Sequence, residues 1–192
     1  MNSTQGGFLR QLAASGLKTC LSRLARVSPC TWQVPEISVS VGTLEEAVGR
    51  HDFRGGPAAA VYFTLNAGQA LTALMLFDPA DMECLAKGFT GHSFPRGQRT
   101  TMAEEVMLLE LGNVVLNAMV NPVLNAARKC ALPPVPEFAE GDAARLLQAL
   151  GAAADLKRES LVVKAALVIK CENSGTTCEA FAMVPPGLYS AE

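Results

Sequence analysis

Histidine is nearly missing from this chain: His51 and His92 are the only two in 192 residues. Neither stands near another ligand-type side chain at a metal-binding spacing, so no metal site is expected. There is no Gly-x-x-x-x-Gly-Lys loop and no Gly-x-Gly-x-x-Gly turn, which leaves a nucleotide site without support. Charge of one sign is lacking too. The formal net charge is only −2, so nothing recommends nucleic acid as a partner. The six cysteines, Cys20, Cys30, Cys84, Cys130, Cys171 and Cys178, contain no Cys-x-x-Cys pair. A chain of this size needs no disulfide staples; Cys171 and Cys178 flank an expected hairpin turn across which two cysteines can face each other, but in the cytosol this pair reads as small buried hydrophobes. No apolar run is long and unbroken enough to read as a membrane span. The start, Met1 to Gly7, has neither the basic nor the apolar region of a secretion signal, so the sequence reads as cytoplasmic.

What is present is apolar patterning. Hydrophobic residues make up 49% of the chain, enough for one sizeable core. Phe8, Leu12, Leu17, Cys20, Leu21 and Leu24 recur at helical spacing. Glu36 to Val41 alternates as a strand does, after punctuation at Ser28-Pro29 and Val34-Pro35. Thr43 caps a short helix to Val48. Two strands follow, Ala58–Leu65 and Ala70–Phe77, joined by the turn Asn66-Ala67-Gly68; their apolar blocks suit a sheet covered on both faces. Asp78-Pro79 opens a helix to about Lys87, and a loop from Gly88 to Gln98, with His92 and Pro95, leads to a long central helix. Gly141–Ala153 reads as a short helix. The last third is a hairpin, Leu161–Lys170 and Cys178–Val184, turning at Asn173-Ser174-Gly175. Strand pairs with helices between them predict an α/β-layered domain with a largely antiparallel sheet.

The central helix carries the unusual residues. Glu110 and Asn113 lie three apart, on neighbouring turns of one face, within the apolar run from Val106 to Leu124. Burying them would cost free energy unless partners were supplied. They mark either a wet helix edge or a polar site offered to a partner. Asn113, Asn117, Asn121 and Asn125 then recur every fourth residue, a stripe interrupted by Pro122, which is expected to kink or end the helix. Asn121 and Asn125 read as caps or bridges of a bent helix end, and Asn117 stands between that reading and the recognition face.

Twenty-two residues separate Asn113 from Pro136, within Leu132-Pro133-Pro134-Val135-Pro136. Glu, two residues, Asn, twenty-two residues and Pro resembles the signature of the CheC-type (CheC/CheX/FliY) chemotaxis phosphatases. That signature opens with Ser or Asp four residues before the Glu, where this chain has Val106. The resemblance implies one CheC-like domain over residues 1–192, with two long helices on one side of the sheet and two pseudo-symmetric halves. The helix over 8–26 would be a degenerate first copy, with Phe8 at the Glu position and Gln11 at the Asn position; the helix over 103–121 would hold the intact one. Implied too is hydrolysis of the aspartyl-phosphate of a CheY-type response regulator. Asn113 would be catalytic, Glu110 would dock the regulator's lysine, Val106 and Asn117 would lie against the partner, and Pro136 would be structural. No cofactor of its own is implied, the Mg²⁺ being held by the regulator. Glu104 and Glu105 lie at other helical angles than Val106. The alternative is a silent member of the same fold that docks CheY-phosphate, the receptor deamidase CheD or a flagellar switch component. Whether the chain pairs as a homodimer is left open.

Overall fold

The computed structural model describes residues 3–54, 56–94, 99–171 and 174–189. Its elements are α1 (Ser3–Val27), β1 (Thr31–Gly42), α2 (Leu44–Gly49), β2 (Ala58–Asn66), β3 (Ala70–Phe77), α3 (Met82–Thr90) and α4 (Met102–Ala126). After these come β4 (Glu137–Gly141), α5 (Ala143–Ala153), β5 (Ser160–Cys171) and β6 (Ser174–Val184). The strands form one sheet in the order β1-β5-β6-β3-β2-β4, with every neighbouring pair antiparallel. The expected layered α/β architecture is present, with the two long helices on one side.

The sheet separates two cores. Successive strand residues point to opposite faces, so Val61, Phe63, Met75 and Phe77 meet α1, α3 and α4 in the larger core, while Ala60, Tyr62, Leu74 and Leu76 meet α2 and α5 on the other face. This explains the unbroken apolar runs of β2 and β3, since both faces of the middle strands are covered. Removing each such large side chain from water contributes about 1.5–3 kcal/mol. The α1 face begins one residue later than its spacing suggests: Leu9 and Ala13 are buried, while Phe8 is 43% exposed.

Local chemistry sets the element ends. Thr43 and Thr101 each cap a helix through a reciprocal box, with Glu46 and Glu104 as the returning carboxylates. Asp142 caps α5, and Asp78 caps the short 3₁₀ turn Pro79–Asp81 that precedes α3.

Four expectations are corrected. The strand expected over Glu36–Val41 starts at Thr31 and runs through Pro35; β1 is an edge strand, and its register shifts between Gln33 and Glu36, where proline is tolerated. A strand not read from the sequence, β4, follows Pro136 and pairs with β2. The hairpin turn is tighter than expected: Ser174 and Gly175 already pair with Cys171 and Lys170, and Asn173, like Pro95 of the earlier loop, lies outside the described residues. Finally, Cys178 is the free buried thiol expected, but Cys171 is not. Thr31 pairs with Lys170, so the next residue outward on each strand comes face to face, and Cys30 and Cys171 form a disulfide with a Cα–Cα distance of 4.6 Å.

Pro122 does not end the helix either; α4 continues to Ala126 with the proline inside it. A proline lacks the N–H that would bond the carbonyl one turn back, here that of Ala118. That oxygen faces α1 at Gly16, where an added methyl group would overlap it. Further along, the Cys20 thiol lies 3.9 Å from the Val114 carbonyl oxygen. Contacts that ascend one helix while descending the other make α1 and α4 antiparallel. By length and composition α4 would also pass for a membrane span, with mean hydropathy 1.4, yet half of that apolar window is buried in this core.

On the second face, Glu179 of β6 holds His51 Nδ1 at 2.7 Å and pairs with Lys164 of β5. Burial alone would raise the Glu179 carboxyl, but the hydrogen bonds from His51 and Lys164 and their charge outweigh it and hold it below its ordinary value of 4.5. The folded state therefore binds this proton less tightly than the unfolded chain, and Glu179 stabilises the fold above that value and ceases to do so as the pH falls through its lower folded value. Glu179→Gln is expected to lower the urea midpoint at neutral pH and to flatten its decline below about pH 4.5; an acid limb as steep as that of the parent protein would count against this account. Gly16→Ala is expected to cost at least about 1–3 kcal/mol in the same measurement, because the clash is with a backbone atom that cannot rotate away.

Candidate functional site

The outward face of α4 is where the unusual residues meet solvent. At 100° per residue, Met102, Val106, Glu110, Asn113, Val114 and Asn117 fall within an arc of about 120°. Met102 is 84% exposed, Val106 56% and Val114 39%. Glu110 is exposed, and Asn113 and Asn117 are half-buried. The opposite side of the helix, including Leu108, Leu111, Val115 and Met119, is fully buried. Gly112 presses that side onto β2, since a methyl group there would overlap Val61. The site is thus a carboxylate and two carboxamides on a rigid helix, framed by apolar side chains that the fold leaves uncovered.

The carboxamides are coupled. Asn117 Nδ2 donates to Asn113 Oδ1 at 2.7 Å, the i, i+4 contact that one helical turn provides. Asn117 Oδ1 is buried and has no partner among the described residues, a state that costs roughly 1–3 kcal/mol. Asn113 keeps its own NH₂ and the second lone pair of its oxygen for another molecule. Among the described residues no cation pairs with Glu110. Glu104, in contrast, is buried in the helix cap, its Oε2 accepting from Thr101 N at 2.7 Å and Thr101 Oγ1 at 2.8 Å. It is not free to replace a polar group missing at Val106.

Pro136 is buried and stands two residues before Phe138, which pairs with Val61. Since Val61 also underlies Gly112, the proline ahead of β4 and the turn bearing Asn113 are supported by the same strand. Asn121 and Asn125 are exposed and, with Asn117, Thr19 and Arg23, line a groove of about 940 Å³ between α1 and α4. The helix runs on through Pro122, so Asn121 does not stand at its end. The helix ends instead at Ala127, whose N–H bonds the Val123 carbonyl.

The first-copy positions lie elsewhere. Phe8 and Gln11 are exposed on α1, and the antiparallel packing carries them toward the far end of α4 from Glu110. The offset that aligns Phe8 with Glu110 and Gln11 with Asn113 also aligns Gly16 with Ala118, the two residues in closest contact. The helix crossing is therefore the centre of an approximate two-fold relation. Among the described residues, no group of three or more His, Cys, Asp or Glu side chains is placed to hold a metal ion.

No protein-family model and no curated protein matches this sequence. Solved structures do. FliY of Thermotoga maritima is 9% identical, with a TM-score of 0.71 over 98% of this chain and 93% of that one. A chain of the FliG–FliM complex from H. pylori is 13% identical, with a TM-score of 0.62 over 95% of both chains. A CheC-like superfamily protein from Shewanella is 9% identical, with a TM-score of 0.51 over 87% of this chain and 94% of that one. At these identities the likeness is one of fold: the chain has the CheC-like fold that these proteins share.

Because Glu110 faces water, Glu110→Ala is expected to leave stability within about 0.5 kcal/mol, and Asn113→Ala to cost about 0.5–1.5 kcal/mol through the hydrogen bond from Asn117. Pro136→Ala, at a buried position, is expected to lose about 1–2 kcal/mol through lost packing and a freer unfolded chain. Denaturant midpoints of the three variants check this. A large loss for Glu110→Ala or Asn113→Ala would mean that these residues serve the fold and not a partner.

Proposed function

We propose that this protein hydrolyses the aspartyl-phosphate of a CheY-type response regulator that docks on the outward face of α4. The observation that carries the reading is the placement of Glu110 and Asn113: an exposed carboxylate, unpaired among the described residues, one turn from a carboxamide whose orientation Asn117 holds. In this reading Met102, Val106 and Val114 form the apolar rim that meets the partner, and Glu110 pairs with a lysine beside its phosphoryl group. Asn113 Oδ1, with one lone pair taken by Asn117, accepts from a water molecule through the other. Asn113 Nδ2 donates to a phosphoryl oxygen. The water oxygen attacks phosphorus in line, the bond from phosphorus to the aspartyl oxygen breaks, and inorganic phosphate and a free carboxylate result. Acyl phosphates are labile, so positioning is most of what the enzyme must add. The divalent cation this reaction uses belongs to the regulator's carboxylates. The reading places the protein in the cytoplasm.

A second reading rests on Val106. Where the resembling signature has Ser or Asp, this chain exposes a hydrocarbon, and Met102 and Val114 extend it. Such a face binds a partner without adding a polar group to the chemistry. The protein would then be an adaptor for a phosphorylated regulator, for CheD or for a flagellar switch component.

Phosphate release from a phosphorylated CheY-type regulator separates the two. Acceleration by the protein is expected, with a fall of about 10²-fold or more in Asn113→Ala. Glu110→Ala is expected to raise KM for the regulator roughly tenfold with a smaller effect on kcat. Asn117→Ala should lower kcat at unchanged KM, because only the aim of Asn113 is lost. Binding without acceleration would establish the adaptor, and acceleration that survives Asn113→Ala would remove the site assignment.

A further inference from the structure

Four cysteines from distant parts of the sequence come together at the end of the sheet where β5 meets α3. Cys30 and Cys171 are joined. Cys84, on α3, places its sulfur 3.8 Å from Cys171 Sγ, the van der Waals distance of a third sulfur against a disulfide. Cys178, on the neighbouring strand, is fully buried; burial first, then the Asp81 carboxylate and Cys84, push its thiol far up and keep it protonated. Cys84, in contact with Cys171 Sγ, is the sulfur placed to react.

We propose that Cys84 and the Cys30–Cys171 bond form an intramolecular thiol–disulfide exchange site. The Cys84 thiolate attacks Cys171 Sγ, a Cys84–Cys171 bond forms, the bond from Cys171 to Cys30 breaks, and Cys30 leaves as a thiolate that takes up the proton Cys84 gave. No electrons are gained or lost, so the exchange needs no oxidant or reductant. Its structural result is to move the tether on β5 from the α1–β1 corner to α3.

The fold is built so that neither partner drifts away. Ser28 Oγ donates to the Gly88 carbonyl at the end of α3 and accepts from Cys30 N at 3.0 Å and Trp32 Nε1 at 2.9 Å. These bonds do not involve sulfur and hold the Cys30 corner against α3 in both linkage states. The site stands independently of the phosphatase reading.

The test is disulfide mapping of the full chain. Protein equilibrated in a glutathione redox buffer is quenched in acid, alkylated with N-ethylmaleimide in denaturant, digested without reductant and read by mass spectrometry. Two linked peptides are expected in the parent protein, Cys30–Cys171 and Cys84–Cys171, while Cys20, Cys130 and Cys178 are alkylated. In Cys30→Ser the linkage should shift wholly to Cys84–Cys171, and in Cys84→Ser it should be Cys30–Cys171 alone. The parent chain settles the matter even where Cys30→Ser folds poorly. Cys30–Cys171 as the sole linkage at every redox ratio, a bond from Cys84 to Cys178, or a folded Cys30→Ser with both remaining partners alkylated would overturn the proposal.

Discussion

The crossing of α1 and α4 at Gly16 and Ala118 is the constraint on which the rest depends. Pro122 withholds an N–H from the Ala118 carbonyl, and Gly16 withholds the side chain that would keep α1 away from it. Two residues usually read as helix disruptors thus allow two long helices to approach closely. That approach buries Leu17, Leu21, Val115 and Met119 over the sheet and fixes the rotation of α4. The rotation decides which residues remain outside. With the crossing set, the face bearing Val106, Glu110 and Asn113 has no place to go but solvent.

The same constraint gives the site its rigidity. A carboxamide on a mobile loop would sample many orientations, whereas Asn113 stands on a helix pinned by Gly112 against Val61, and its own oxygen is held by Asn117. In the proposed reading the apolar rim supplies adhesion, and the single carboxylate supplies register.

The opposite face of the sheet and the far strand edge serve other ends. Glu179, His51 and Lys164 form a compact charged cluster between β5, β6 and the end of α2, where burial and compensation are balanced. At the edge, β1 is joined to β5 through Cys30 and Cys171 next to a third sulfur. Each group comes from segments far apart in sequence, and each is legible only once the strands are paired.

The sequence by itself determined the parts whose physics is local. Helical spacing, the cap at Thr43, the Asp78-Pro79 start and the alternation of Leu161 to Lys170 each fix structure within a few residues, and Glu110 and Asn113 share a face because three residues make most of a turn. The distant Pro136 was legible only as a spacing. Tertiary structure decided the rest. Pro122 continues a helix because Gly16, over a hundred residues away, accommodates the carbonyl it frees. The short β4 carries too weak a pattern to be read until β2 offers it an edge. Cys30 meets Cys171, not Cys178, because strand order places β1 beside β5, and strand order is a property of the whole sheet. Exposure of Val106 and Glu110 is likewise set by what packs on the other side of their helix, which no spacing within it records.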